Sequence, residues 1–255
     1  MTDLFKTEAE MVASWLKHEF GRANHRGDWL VYPETAGWDL LLVHTDGYQV
    51  GIEAKLSLNA KVLDQALVGQ HGRYGCDGPD YRAVLVPEGK VQLHLGNIAA
   101  AIGLRVLTVH KPERGVWRSI DLPDENSDYR QWPNWMPSER CPLPEYVPDV
   151  AAGTAAPVQL TPWKVKAIRL MIVLERRGSV TRADMKALGI SPTRWCDHWH
   201  GFLDPGPSRN YVRGKRTPDL KAQHPTNWAQ IEADFDKWAA EAKIAIDAPQ
   251  GLPGL

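Results

Sequence analysis

Two apolar segments joined by a tight turn constrain the fold of this chain more than any other feature. Residues 37–43 and 48–54 are rich in Val, Leu and Ile, and the dipeptide Asp46-Gly47 lies between them. An Asp-Gly pair between two apolar runs is typical of a β-hairpin. The sequence therefore predicts two antiparallel strands within residues 37–55.

Three charged residues lie at the ends of these predicted strands. Asp39 is near the start of the first strand, and Glu53 and Lys55 are at the end of the second. Alternate residues of a strand share a face, so Glu53 and Lys55 project together, and the hairpin returns Glu53 towards Asp39. Two carboxylates with an adjacent ammonium suit a hard divalent cation. The alternative is an ordinary charge pair at a strand end, with Asp39 as a turn residue.

The elements around the hairpin predict an α/β fold. Residues 4–20 and 59–74 have apolar side chains at helical spacing, and Asn59 is a suitable N-cap for the second of these helices. A strand–helix–strand run implies a parallel crossover beside the antiparallel hairpin. We therefore expect a mixed sheet with helices on its faces. The further strands are predicted at residues 28–33, 81–86 and 104–109, with a short helix near 96–102.

The chain has the composition of a soluble protein with a substantial core. Of its 255 residues, 43% are hydrophobic and 24% are charged, and the N-terminal segment is acidic rather than signal-like. No apolar run approaches the roughly 20 residues of a membrane span. Three widely spaced cysteines argue against a disulfide framework and favour a reducing environment. We therefore expect a cytoplasmic protein.

Changes in composition divide the chain into four segments. Residues 1–120 hold the predicted sheet. Residues 121–160 are rich in Pro and Trp, and their aromatic part could return to the first domain while their Ala/Gly part forms a linker. Residues 161–247 form a second, mainly helical domain that ends in a helix predicted over 228–245, and residues 248–255 form a loose tail.

The second domain shows the pattern of a helix-turn-helix. An apolar helix starts at Pro162, and Thr181 is a suitable cap for the next helix. Ser191 then caps a third helix, which is predicted to continue to Trp199. Trp195 and Trp199 have i, i+4 spacing on this helix. We assign both bulky rings to the core, and base-stacking is the alternative.

Basic residues are concentrated in this second domain, although the net charge of the whole chain is only −1. Between Thr161 and Gln223 there are 13 Lys and Arg residues against 5 Asp and Glu. Residues 207–216 are basic and turn-rich, as expected of a wing hairpin. A basic segment within a nearly neutral chain indicates a polyanionic partner.

The first domain resembles the PD-(D/E)xK nuclease superfamily, which has the restriction-endonuclease-like fold. The resemblance rests on Asp39, on Glu53-Ala54-Lys55, on the helix with Gln65, and on the order of elements over residues 4–110. The pair Gly37-Trp38 stands where the family usually has Pro before the first Asp. The predicted fold class is therefore α/β, with a mixed-sheet αβββαβ restriction-endonuclease-like core and a second, small, mainly helical winged-helix-like domain.

The resemblance implies a role for each residue that matches the family motif. Asp39, Glu53 and the carbonyl oxygen of Ala54 would hold Mg²⁺ or Mn²⁺. Lys55 would orient or activate the attacking water and offset charge on the phosphate. Gln65 would bind from the helix that follows the hairpin.

Two positions in this site are open to alternatives. Glu34, just before the hairpin, is assigned as a third acidic catalytic residue, with Glu10 as the alternative. Glu8 is expected on a solvated helix face. Gln70, which forms a Gln-x-x-x-Tyr pattern with Tyr74, is the second choice after Gln65.

The second domain resembles a winged helix or a related helix-turn-helix over residues 160–225. On that resemblance, Arg194 and His198 of the third helix could enter a major groove of DNA. The alternative is a small helical oligomerisation module. The residues assigned to phosphate contacts are Arg209, Arg213, Lys215 and Arg216.

Together, the two resemblances imply a DNA endonuclease that depends on Mg²⁺ or Mn²⁺, with DNA rather than RNA as its substrate. Many nucleases of this fold cut as dimers, so a homodimer is one arrangement that the resemblance suggests. One alternative is a non-catalytic DNA-binding regulator on a nuclease-like scaffold. Another is a structural or inhibitory protein that binds a protein partner through its Trp-rich segment.

Overall fold

A mixed sheet organises the first part of the chain in the computed structural model. The structure describes residues 4–20, 27–68, 77–110, 122–123, 131–149 and 160–244. The chain divides into two compact units, Met1–Gln159 and Leu160–Leu255, and each is considered by itself.

Five strands and three helices make up the described part of the first unit. The sheet has the order β1-β2-β3-β4-β5, in which β1, β2 and β3 are antiparallel neighbours and β3, β4 and β5 are parallel neighbours. The prediction of an α/β fold with a mixed sheet is therefore confirmed. The elements are α1 (Glu8–Glu19), β1 (Trp29–Thr35), β2 (Trp38–His44), β3 (Gln49–Ala54), α2 (Ala60–Val68), β4 (Tyr81–Pro87), α3 (Leu93–Ala101) and β5 (Arg105–Val109).

The hairpin between β2 and β3 forms where the sequence predicts it. Gly47 has a φ of 88°, and its N–H donates to the carbonyl of His44 at 2.8 Å, which closes the turn. The helix after the hairpin begins as expected, because the Asn59 side chain accepts from the N–H of Val62 at 3.1 Å. Gln70 and Tyr74 lie outside the described residues.

Helices cover both faces of the sheet. Met11, Val12 and Trp15 of α1 pack in one apolar cluster with side chains of β2 to β5. On the opposite face, Val62, Leu63 and Ala66 of α2 pack in a second cluster with Trp38 and other strand residues. The sheet is thus the middle layer of a three-layer α/β structure.

Residues 131–149 return to the sheet of the first unit. The Nε2 atom of Gln49 donates to the carbonyl of Cys141 at 3.0 Å, and the Oε1 atom of Gln49 accepts from the N–H of Cys141 at 2.9 Å. The guanidinium of Arg140 bonds both carboxylate oxygens of the buried Asp80, at 2.8 and 3.0 Å. These contacts attach this segment near the starts of β3 and β4.

The described part of the second unit is mainly helical and has one small hairpin. The strands β6 and β7 are antiparallel, and Val180 forms an isolated antiparallel bridge with Tyr211. The elements are α4 (Pro162–Arg177), α5 (Arg182–Ala187), α6 (Pro192–Cys196), β6 (Leu203–Pro205), a 3₁₀ turn (Pro207–Arg209), β7 (Tyr211–Arg213), α7 (Leu220–Gln223), α8 (Pro225–Ala233) and α9 (Phe235–Glu241). No helix among the described residues is long and apolar enough to cross a membrane.

Two sequence predictions about these helices are wrong. Helix α6 ends at Cys196 rather than Trp199, because Asp197 is extended and its carboxylate accepts from the N–H groups of Trp199 at 2.9 Å and His200 at 2.6 Å. An Asp that bonds the backbone ahead of it competes with helix continuation. Trp195 is fully buried as expected, whereas Trp199 is 72% exposed.

The last predicted helix, over residues 228–245, is also divided. Asp234 lies between α8 and α9 and has a φ of −83° and a ψ of 10°. Its carbonyl accepts from the N–H of Lys237 at 3.1 Å, a three-residue spacing that tightens the backbone and redirects the chain.

The contact between Gly51 and the Trp38 ring gives a test of the packing around the hairpin. A Cβ at position 51 would lie 2.5 Å from two ring atoms of Trp38. We expect Gly51→Ala to destabilise the protein by about 1–3 kcal/mol and to lower Tm by about 2 °C or more, because the core must shift. Differential scanning calorimetry measures this change.

The matched control is Gly27→Ala, since a Cβ at position 27 would have no atom of the described residues within 4 Å. That variant is expected to melt like the wild type. Trp38→Phe in the Gly51→Ala background is expected to recover part of the loss. Equal stability of the two alanine variants would contradict this description of the packing.

Candidate active site

Asp39 and Glu53 are neighbours at one end of the β2–β3 hairpin. The last described pair in this ladder is Leu40 with Ile52, and the next residues in the same register are Asp39 and Glu53. The Oδ2 atom of Asp39 also accepts from the N–H of Ala54 at 2.7 Å. The hairpin therefore brings together the two carboxylates that the sequence analysis paired.

Lys55 joins this group from the end of β3. Its N–H donates to the carbonyl of Leu85 at 3.0 Å, which extends the parallel ladder by one residue. Its Nζ donates to Oε2 of Glu8 at 3.0 Å, and both side chains are about one-third exposed or less at this contact. Lys55 is thus held by the first turn of α1.

Glu8 is a site residue that the sequence analysis assigned to a solvated face. It lies four residues before Val12 and seven before Trp15, both of which are buried in the core. Residues at these spacings share a helix face. The helical period could therefore have placed Glu8 on the side of α1 that faces the sheet.

Glu10 and Glu34 have different positions relative to this group. Glu10 is exposed, and its carboxylate accepts from the N–H of Lys6 at 2.8 Å at the start of α1. Glu34 lies between Pro33, which pairs with Leu40, and Thr35, and so it stands opposite Asp39. Its φ of 48° is unusual for a residue within a strand, and its charge raises the pKa of Glu53. Glu34, and not Glu10, is the additional carboxylate near the hairpin end.

The environment of Glu53 strongly disfavours a bare negative charge. Glu53 is only 5% exposed. Within the described part of the chain, no hydrogen bond or ion pair reaches its carboxylate. Burial raises the pKa of Glu53 from its usual 4.5 to about 8, and the charge of Asp39 adds to this effect while Lys55 opposes it. Binding of a proton or a cation would therefore lower the cost of burying this carboxylate.

The pKa values of Asp39 and Lys55 are also raised. Burial raises the pKa of Asp39, although the Ala54 N–H and the charge of Lys55 oppose the shift. Burial alone would lower the pKa of Lys55, but the hydrogen bond to Glu8 and the nearby carboxylates raise it above its usual value. The Lys55 ammonium therefore lies near three carboxylates, those of Glu8, Asp39 and Glu53, and the charge of Glu34 acts on Glu53.

Asp39 and Glu53 are the residues of this site that could hold a divalent cation. Across the described ranges, no group of three or more His, Cys, Asp or Glu side chains has an arrangement that could hold a metal ion. Asp39 and Glu53, with one Asp39 oxygen used by the Ala54 N–H, fit the one or two carboxylates that Mg²⁺ takes along with water. They do not form a dedicated protein cage.

Gln65 lies on the helix that covers the Glu53 side of the sheet. Glu53 shares the face of β3 with Gly51, against which Trp38 packs, and this is the face that α2 covers. The Oε1 atom of Gln65 is buried and has no hydrogen-bond partner among the described residues. No hydrogen bond there joins Gln65 to Asp39 or Glu53, so its role stays a prediction.

The basic residues of the second unit are mostly exposed. Arg194 is the last basic residue of α6, and its guanidinium lies 5.7 Å from the rings of Trp163 and Phe202. His198 is in the turn after α6, so its predicted place on the helix is wrong, and its contact with DNA stays a prediction. The remaining assigned residues are Arg209 in the 3₁₀ turn, Arg213 on β7, and Lys215 and Arg216 just after β7.

Comparison of the chain with protein-family models, with curated proteins and with solved structures gave no match.

The raised pKa of Glu53 predicts how the stability of the sheet depends on pH without metal. Below pH 4.5 the carboxyl is protonated in both the folded and the unfolded chain, so its contribution is fully present there. As the pH rises towards about 8, the unfolded chain loses the proton first, and stability falls by up to about 1.4 kcal/mol for each pH unit crossed. Glu53→Gln should remove most of this fall, because an amide does not titrate.

Native-state hydrogen exchange of the β2 and β3 amides in EDTA, at several pH values between 5 and 8, measures this difference. The matched control is Glu139→Gln, since Glu139 is exposed. We expect the control to follow the wild type. A wild type and a Glu53→Gln variant with parallel pH dependence would contradict the assigned environment.

Proposed function

We propose that this protein is a metal-dependent nuclease that hydrolyses phosphodiester bonds in DNA. The observation on which the proposal depends is the buried Glu53 carboxylate, which lies beside Asp39 and lacks a hydrogen-bond donor among the described residues. Such a group is costly unless it is neutralised. A divalent cation between Asp39 and Glu53 would neutralise both carboxylates at once.

The order of elements supports the same proposal. The described residues give a helix, three antiparallel strands, a helix and a parallel strand, which is the αβββαβ order that the restriction-endonuclease-like resemblance implies. The two carboxylates and the lysine on which the resemblance rests lie at the same end of the hairpin, which supports the proposal. We therefore interpret the first unit as a nuclease domain of this kind.

Each residue of the site has a distinct part in the proposed reaction. A divalent cation, when bound, would supply Lewis acidity that acidifies water and neutralises phosphate charge. Asp39 is oriented for binding by the Ala54 N–H. Lys55 provides a fixed positive charge where negative charge builds on the phosphate, and Glu8 positions its ammonium and keeps it protonated.

The second unit supports a DNA substrate. Val180 pairs with Tyr211 of β7, so α4, a short extended segment, α5, α6 and the β6–β7 hairpin follow one another in the order of a winged helix. Arg209 lies in the connection of that hairpin, where Ser208 and Arg209 both have positive φ angles. We interpret this hairpin as a wing whose exposed cations contact the DNA backbone.

Proton release on metal binding tests the role of Glu53. Because the pKa of Glu53 is about 8, binding of Mn²⁺ below that pH must displace its proton. We expect the affinity for Mn²⁺ to rise about tenfold for each pH unit between 6 and 8. Isothermal titration calorimetry in two buffers of different ionisation enthalpy measures both quantities.

In the same titration, Glu53→Gln is expected to bind Mn²⁺ weakly and with little proton release. The control is again Glu139→Gln, which should behave like the wild type. Mn²⁺ binding that is independent of pH, or that is unchanged in Glu53→Gln, would place the ion elsewhere.

Cleavage of supercoiled plasmid DNA with Mg²⁺ or Mn²⁺ tests the activity itself. Asp39→Asn removes a carboxylate charge, and Lys55→Met removes the ammonium while keeping the aliphatic part of the side chain. Each is expected to lower the rate by at least about 100-fold, as for other groups that stabilise charge in a transition state.

The matched controls are Asp64→Asn and Lys61→Met, which alter exposed residues of the same types on α2. Both should retain wild-type cleavage. Activity that survives both Asp39→Asn and Lys55→Met would refute the nuclease proposal. Tight DNA binding by the wild type with no cleavage under any divalent cation would instead favour a non-catalytic DNA-binding regulator, for which the exposed cations of the second unit are the specific support.

A further inference from the structure

The turn after α6 presents a large aromatic ring to solvent. Trp199 is 72% exposed, whereas Trp195, four residues earlier, is fully buried. An exposed Trp is informative because this side chain is usually among the more buried ones. The ring of His198 meets Trp199 edge-on, with 5.0 Å between ring centroids, and is itself exposed.

Hydrogen bonds order the backbone of the turn that carries this exposed ring. The carboxylate of Asp197 accepts from the N–H groups of Trp199 and His200, at 2.9 and 2.6 Å. The N–H of Gly201 donates to the carbonyl of Asp197 at 2.9 Å, and a Cβ at position 201 would lie 2.4 Å from that oxygen. The turn therefore requires glycine at its end and fixes the backbone of Trp199.

Basic residues surround the turn. The guanidinium of Arg216 donates to the carbonyl of Trp199, and the hydroxyl of Thr217 donates to the carbonyl of Phe202 at 2.6 Å. These two bonds attach the segment with Lys215 and Arg216 directly to the Trp199 turn. Arg194 approaches the same segment from α6, with its guanidinium 5.7 Å from the Phe202 ring.

The charges around Trp199 favour an anionic partner. Lys215, Arg216 and Arg194 are exposed cations. Of the anions nearby, Asp197 already accepts two backbone N–H groups, and Asp204 lies beside Gly214. Exposed cations beside an exposed aromatic ring on an ordered turn suit a nucleic acid, whose phosphates meet the cations while a base meets the ring. An apolar protein partner would have to desolvate these charges.

We propose that Trp199 stacks on an unpaired base, so that the protein prefers DNA with single-stranded character over fully paired duplex. This inference rests on the proposed DNA-binding function of the second unit. Stacking on an unpaired base needs no disruption of base stacking in a duplex, whereas insertion of the ring between paired bases does. Because the turn is already ordered, little side-chain and backbone freedom is lost on binding.

Binding of fluorescently labelled DNA to the full chain tests the proposal. Fluorescence anisotropy in EDTA, which prevents metal-dependent cleavage, gives Kd for a short single strand and for its blunt duplex. Trp199→Ala is expected to weaken binding of the single strand by about 5- to 100-fold. Binding of the duplex should change by less than about twofold, and Trp199→Phe should retain most of the single-strand affinity.

Two control variants separate stacking from other effects. Leu93→Ala removes another exposed apolar side chain, in the first unit, and should leave both Kd values unchanged. Arg209→Ala removes a cation of the proposed wing and should weaken single-strand and duplex binding to a similar degree.

The outcomes distinguish this inference from the proposed function. Equal effects of Trp199→Ala on single strand and duplex, or no effect on either, would overturn the stacking role while DNA binding itself stands. A wild type that binds neither DNA would refute the DNA-binding function together with the inference. Loss of a defined protein complex in Trp199→Ala, with DNA binding intact, would assign the ring to a protein interface and would also overturn the proposal.

Discussion

The bond from the Ala54 N–H to the Asp39 carboxylate is the interaction around which the candidate site is built. It joins the start of β2 to the end of β3 and adds a side-chain bond where the hairpin ladder ends. The same register makes Glu53 the neighbour of Asp39. The two residues are only 14 positions apart, so a local hairpin with a small loop-closure cost brings them together. The site therefore depends on the register of one hairpin more than on any long-range contact.

The environment at this site is unfavourable for the charge of Glu53. This residue is buried beside the charge of Asp39, and no hydrogen-bond donor reaches its carboxylate among the described residues. Apolar packing around the site offsets the cost of burying this carboxylate. Trp38 packs on Gly51, and apolar clusters cover both faces of the sheet. A stable scaffold that holds an unfavourable charge arrangement is typical of functional sites, where binding of a ligand relieves the imbalance.

Local signals in the sequence were sufficient for the sheet and for the central pair of carboxylates. The Asp46-Gly47 turn, the apolar runs on either side of it and the Asn59 cap each act over a few residues, and each forms as predicted. Local signals alone do not place Glu8 beside Lys55. That position follows from the helical period of α1 together with the way α1 packs on the sheet. The position of Glu34 depends on a positive φ, which the residue type does not indicate.

The second unit shows where helical spacing misleads. Trp195 and Trp199 have the i, i+4 spacing of a buried stripe, yet the carboxylate of Asp197 bonds two N–H groups ahead of it and ends the helix between them. The last predicted helix is also divided, at Asp234. At Asp197 the side chain of a short polar residue inside an apolar pattern ends the helix, and the ring of Trp199 beyond it is exposed.

The most direct test of the account is a crystal structure of the protein soaked in Mn²⁺, with anomalous scattering used to locate the ion. The account predicts an anomalous peak bounded by the carboxylates of Asp39 and Glu53, within about 2.0–2.6 Å of an oxygen of each. The same soak of Glu53→Gln should show a weak peak or none. A wild-type crystal with no peak at this position, or with a peak bound only by other residues, would contradict the claim that this hairpin end is a metal-dependent active site.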